Sequence, residues 1–184
     1  MIFGITGRIG SGKSFLVKVV SEMYDVNIID LDILGHQLLD THPIKESLIN
    51  AFGTDILSED GKINRKVLGS IVFDNSDYLT LLNNLIHPVM RNSVCNDIEH
   101  LSGQSTLIVG SLIDEIGLTT ICNKVVVVDA DDDLIRAHKG SIFDKVKCFQ
   151  KSRDVFIKSS DIVLKNTFSS KFKDDILLFF KNYL

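Results

Sequence analysis

Eight residues near the start of the chain, Gly7-Arg8-Ile9-Gly10-Ser11-Gly12-Lys13-Ser14, satisfy the pattern G-x-x-x-x-G-K-[ST] at every fixed position. Glycines at this spacing let the backbone turn tightly and aim successive N–H groups at phosphate oxygens. A helix N-terminus at the same place adds its dipole to the attraction for negative charge. Lys13 can then reach the β- and γ-phosphates of a triphosphate, and the Ser14 hydroxyl can take a position on Mg²⁺. Gly10, Ser11, Gly12, Lys13, Ser14 and the adjoining Phe15 are the expected nucleotide-binding residues. A second candidate group is Asp30 and Asp32, two residues apart at the end of an apolar run. A carboxylate there could accept a proton from a substrate hydroxyl or orient Mg²⁺. Asp32 could equally cap the helix that follows. A third group is the cation-rich stretch Arg136, His138, Lys139, Lys145, Lys147, Lys151 and Arg153. Phosphoryl transfer spreads charge over the migrating group's oxygens, and a closing lid that carries Arg and Lys would neutralise it and exclude water.

The elements that must position these residues read as alternating strands and helices. Ile2–Thr6 precedes the glycine-rich loop as a short buried strand, and Phe15 to Met23 repeats its apolar residues at helical spacing. Val26–Asp30 is a second strand, with a helical pattern over Ile33–Leu39. Residues from about 35 to 102 read mostly as helices: Pro43 opens one, Asn64-Arg65-Lys66 begins another, and Asn75-Ser76-Asp77 caps a third. His87-Pro88 should interrupt that third helix, with a further one over Val89–Leu101. Three more strands are expected at 106–109, 124–128 and 161–164, and a last amphipathic helix at 171–181. Continuous apolar strands such as Lys124–Val128 suit a sheet covered on both faces, and the alternation implies a parallel, doubly wound α/β sheet of five strands.

At 184 residues, with 45% hydrophobic residues and a mean hydropathy of +0.19, the chain can bury one sizeable core. Its net charge of −4 and pI near 5.7 do not fit a broad nucleic-acid-binding surface, so an anionic ligand must be held by a few local cations. Cys95, Cys122 and Cys148 form no C-x-x-C pair and no metal cluster with His, as expected of buried, reduced thiols. No apolar run is long enough to span a bilayer, and the chain opens on a strand without a signal peptide; a cytoplasmic monomer is expected.

In order and spacing, these pieces resemble the dephospho-coenzyme A kinase family. The resemblance is carried by Ile5 to Ser14, Ile29-Asp30-Leu31-Asp32, Phe52-Gly53-Thr54-Asp55-Ile56-Leu57 and Asp60-Gly61-Lys62-Ile63-Asn64-Arg65. It continues through Val72-Phe73, Ile86-His87-Pro88, Val126-Val127-Val128-Asp129, Gln150 with Arg153, and Ser160-Asp161 to Asn166. It implies a P-loop kinase fold that phosphorylates the ribose 3′-hydroxyl of dephospho-CoA with ATP and Mg²⁺. The core would be about 1–34 and 103–184, an acceptor-binding helical insertion about 35–102, and a short lid about 137–153. The resemblance makes Asp32 the catalytic base, with Lys13 and Arg136 as catalytic cations. Asp32, Arg65, His87 and Arg153 would meet the acceptor, and Asn166 the adenine; His87 also reads as an ordinary core or helix-end histidine. There are departures. Val109-Gly110-Ser111-Leu112-Ile113-Asp114-Glu115 lacks the family's proline, and the stretch 136–150 is short by one lid arginine, for which His138 or Lys139 could stand in.

Three other readings compete. One is a nucleoside monophosphate or other small-molecule kinase of the same architecture. Another is a nucleotide-binding protein with reduced turnover. The third is a GTP switch, on Asp114-Glu115-Ile116-Gly117 as D-x-x-G and Asn123-Lys124 as the start of Asn-Lys-x-Asp, although Val126 stands where that motif needs Asp.

Overall fold

The computed structural model describes residues 1–101 and 103–184. Its contacts divide the chain into two compact units, residues 1–30 with 97–184 and residues 31–96. The first unit is built on five parallel strands: β1 (Ile2–Thr6), β2 (Val26–Asp30), β3 (Ser105–Val109), β4 (Lys124–Asp129) and β5 (Ile162–Lys165). Their order is β2-β3-β1-β4-β5. The strands reading as continuous apolar runs, β1, β3 and β4, occupy the three interior positions, where both faces are covered. Edge strands β2 and β5 each leave an apolar residue exposed, Ile28 and Val163. Helices α1 (Lys13–Met23) and α9 (Ser170–Phe180) contribute Leu16, Val19, Val20, Phe172, Ile176 and Phe180 to a core with Phe3, Ile5, Leu107, Val126 and Val128. Phe3 and Phe180 meet edge to face at 5.2 Å.

Because all strands run parallel, their C-terminal ends share one edge. The register fixes the level: Ile5 of β1 and Asp30 of β2 both pair with Val109 of β3. Their Cα atoms are thus about two strand spacings, roughly 10 Å, apart. The guanine-specificity reading fails on the same topology. Asn123 lies at the opposite edge, where its side-chain oxygen accepts from the Ile2 N–H at 2.7 Å.

The second unit holds α2 (Leu31–Leu38), α3 (His42–Phe52), α4 (Arg65–Phe73) and most of α5 (Ser76–His100). Pro43 sits in the first turn of α3, where its missing N–H leaves no bond unmade. The Asn64 side chain caps α4 by accepting from the Lys66 and Val67 N–H groups, and Asn75 does the same for Asp77 and Tyr78. The expected break at His87-Pro88 does not occur: α5 runs through Pro88 for 25 residues. Interior proline costs a helix about 3 kcal/mol. Burial of Ile86, Met90 and Val94 on both sides of it offsets that cost. The sequence pattern assigns no elements to the cation-rich stretch after β4. It folds as three short helices, α6 (Asp132–Lys139), α7 (Ser141–Lys147) and α8 (Arg153–Lys158). The cysteines are less buried than expected, with Cys95 and Cys122 intermediate and Cys148 exposed. No helix among the described residues is long and apolar enough to cross a membrane.

Candidate active site

The glycine-rich loop bends from the end of β1 into the start of α1. Gly10 and Gly12 carry φ values of +74° and +113°, which an L side chain rarely adopts. A Cβ on Gly12 would also strike the Asn166 amide. The Lys13 ammonium lies across the loop and donates to the Gly7 and Arg8 carbonyls at 2.7 and 3.1 Å. Ser14 lies in the first turn of α1. The Ser11 hydroxyl is buried with no hydrogen-bond partner among the described residues, an arrangement that generally costs 1–3 kcal/mol or so.

Asn166, just beyond β5, is 2% exposed and ties the loop to the following turn. Its amide donates to the Ser11 carbonyl at 2.8 Å, and its side-chain oxygen accepts from the Phe168 N–H at 2.7 Å. Phe168 has φ +56°, the one positive value for a non-glycine residue among those described. Its ring stacks on His138 with centroids 4.0 Å apart. These groups, with Gly12, Phe15, Phe172 and Lys173, line a cavity of about 350 Å³ beside the loop. Phe15 forms one wall by stacking on Phe172 at 5.8 Å.

The loop's other side meets a network of paired charges. Arg8 is 5% exposed, donates to the Ala130 carbonyl at 2.7 Å, and ion-pairs with Asp132. Lys147 also holds Asp132, and these bonds, the Lys147 one largest, push the Asp132 carboxyl down to about 2. Arg153 takes Asp129 through two nitrogens and reaches Asp131 at 2.8 Å, which raises its own pKa. Lys151 pairs with Asp114 and Glu115. Burial pushes Glu115 up from the usual carboxylate range, and Lys151 only partly opposes it. Gln150 accepts from the Ile9 N–H at 2.9 Å and so fastens this segment to the loop. Arg136, half exposed, is engaged by Asp133 and Asp144.

In the second unit, Asp32 is the second residue of α2, inside its first turn and not at the N-cap position. It is exposed, two residues past the C-terminal end of β2. Arg65 opens α4 and lines a groove of about 640 Å³ with His36, Ser58, Ile63, Asn64 and Lys66. His87 lies midway along α5, does not line that groove, and is held below the usual histidine range by burial. The expected nucleotide residues therefore converge on one loop, whereas Arg136 and Arg153 are bound to carboxylates.

The family model described as dephospho-CoA kinase matches residues 1–141. The chain belongs to the dephospho-CoA kinase family. It is a kinase of the P-loop fold, and the phosphate-loop pattern of its sequence lies at residues 7–14. Among its relatives is the dephospho-CoA kinase of Dehalococcoides mccartyi, 35% identical over 149 residues, covering 79% of this chain and 71% of the relative. That of Borrelia garinii is 33% identical over 175 residues, covering 90% and 82%. The solved structure of the dephospho-CoA kinase from Campylobacter jejuni shares the fold, with a TM-score of 0.76 at 24% identity over 98% of this chain and 96% of that one.

Sequence reasoning gave no role to three residues that the structure places around the loop. Arg8 occupies a free position of the loop pattern, so nothing in the motif draws attention to it. Gln150 was grouped with the lid without a partner, and Phe168 is an ordinary aromatic until its backbone conformation is seen.

Proposed function

We propose that this chain transfers the γ-phosphoryl group of ATP to the ribose 3′-hydroxyl of dephospho-CoA, giving CoA. The observation that carries the reading is the loop at 7–14, folded between β1 and α1 with the Lys13 ammonium already lying across it. On binding, that ammonium exchanges two backbone carbonyls for phosphate oxygens. The backbone N–H groups of residues 10–14 hold the β- and γ-phosphates, and the base enters the cavity beside Asn166 and Phe15. Asp32 orients the acceptor hydroxyl and takes its proton as the oxygen attacks phosphorus in line. The acceptor is held by the second unit, with Arg65 in its groove as the anion contact and His87 as a neutral contact, consistent with its lowered pKa. Arg136 and Arg153 join the phosphates by exchanging their carboxylate partners.

Ser14 would be the protein's ligand to Mg²⁺. No group of three acidic, His or Cys side chains that could hold a metal occurs among the described residues. This donor set fits an ion that takes its other ligands from phosphate and water. Held there, Mg²⁺ would neutralise phosphate charge. We place the enzyme in the cytoplasm with its donor, as a monomer.

The test is direct: protein, MgATP and dephospho-CoA are mixed and CoA is followed by mass and by ADP release. CoA should form only with both substrates, and Lys13→Ala should lose most of that turnover. ADP release without CoA, or unchanged turnover in Lys13→Ala, would overturn the assignment.

A further inference from the structure

The cations between 132 and 153 are mostly committed. Arg136 is held by Asp133 and Asp144, Lys147 by Asp132, Lys151 by Asp114 and Glu115, and Arg153 by Asp129 and Asp131. Among the described residues, the lysines of this segment without a carboxylate partner are Lys139 and Lys145. Lys145 lies on α7. Lys139 is the last residue of α6, and its alkyl stem crosses the phosphate loop at Gly10. A Cβ built on Gly10 would stand 2.7 Å from Lys139 Cγ and 3.5 Å from its Cε. Nζ is one bond, about 1.5 Å, farther on. The ammonium therefore lies within about 5 Å of that point on the loop.

The end of α6 is held there by contacts that do not involve Lys139. The His138 ring lies nearly flat on Phe168, at 4.0 Å and 17°. Phe168 is fixed in its positive-φ conformation by the Asn166 side chain. Ile135, one turn earlier, also packs against Gly10, at 2.9 Å from the same Cβ position. Gly140, with φ +61°, then ends the helix.

We propose that Lys139 is a catalytic residue of this kinase: its ammonium closes on the oxygens of the terminal phosphate at Gly10, with His138 as the positioning residue that pins it. The proposal rests on the reading of residues 7–14 as the donor site. As the bond from the bridging oxygen to the γ-phosphorus breaks and the bond to the acceptor oxygen forms, Lys139 neither gives nor takes a proton. It neutralises charge that the committed arginines reach only by leaving their carboxylates.

The experiment is a nucleotide titration with excess magnesium and no acceptor, comparing ATP with ADP, followed by turnover with dephospho-CoA. Lys139→Ala should lose about tenfold in ATP affinity and under about threefold in ADP affinity, and kcat should fall roughly 10- to 10²-fold. Lys139→Arg should restore most of the ATP preference. His138→Ala should lose part of it with Lys139 present. Equal losses for ATP and ADP, or no loss in Lys139→Ala, overturn the proposal. If Lys13→Ala has meanwhile lost both nucleotides, the donor site itself still stands. A wild-type protein that binds neither nucleotide overturns both.

Discussion

Replacing Arg8 by alanine should loosen the phosphate loop and the helices after β4 together. The guanidinium is 5% exposed and bridges the two: one nitrogen donates to the Ala130 carbonyl at 2.7 Å, another holds Asp132, and the cation lies 5.8 Å from the Phe143 ring centroid. Ala130 is fully buried, so removing its donor leaves a carbonyl that water does not reach, a loss of about 1–3 kcal/mol. Asp132 is 32% exposed and keeps Lys147, so its part is the smaller, about 1 kcal/mol. The expected total is about 2–4 kcal/mol, which for a chain of this size lowers Tm by roughly 5–12 °C. Arg8→Lys should recover little, because an ammonium lacks the planar fork that serves both partners. Thermal unfolding followed by circular dichroism, with ATP titrations on the same samples, measures both consequences. A Tm within about 2 °C of wild type and unchanged ATP affinity would refute the bridging role.

Asn166→Ala should lose roughly 2–4 kcal/mol in urea unfolding, since it strips partners from the Ser11 carbonyl and the Phe168 N–H. It should also weaken ATP binding; a purely adenine-contacting side chain would change affinity but not stability. Acid should attack the charge network first. The folded Asp132 carboxyl titrates near 2, below the unfolded value of about 3.9, so its stabilisation is complete above about pH 4 and is lost as pH falls towards 2. Urea midpoints of wild type and Asp132→Asn should therefore converge across that window, and a gap that persists at pH 2 contradicts the pairing. Cys122, pushed up to about 12 chiefly by burial, should react with alkylating reagents at neutral pH much more slowly than exposed Cys148.

What the sequence made legible follows from how local each signal is. The loop, its flanking strand and helix, and the caps at Asn64 and Asn75 are written within a few residues of chain, and all stand where their patterns put them. The parallel sheet followed from runs such as Val125–Val128, which suit only a strand covered on both faces. Pro88 misled because the local penalty of proline is legible, whereas the burial that outweighs it is tertiary. The helices between 132 and 158 were missed for a related reason: ion pairs of this stretch join residues far apart in the chain, such as Lys151 with Asp114 and Asp132 with Arg8. For the same reason the lid cations read as a single free set. Only the structure separates Arg136 and Arg153, bound to carboxylates, from Lys139, lying over Gly10.

We propose, as the centre of the account, that Asp32 directs an acceptor hydroxyl onto a triphosphate held by the loop. Its most direct test is the single-turnover rate of CoA formation in Asp32→Asn at saturating MgATP and dephospho-CoA. The account predicts ATP affinity close to wild type and a chemical step slower by roughly 10²-fold or more. A chemical step within threefold of wild type would contradict it.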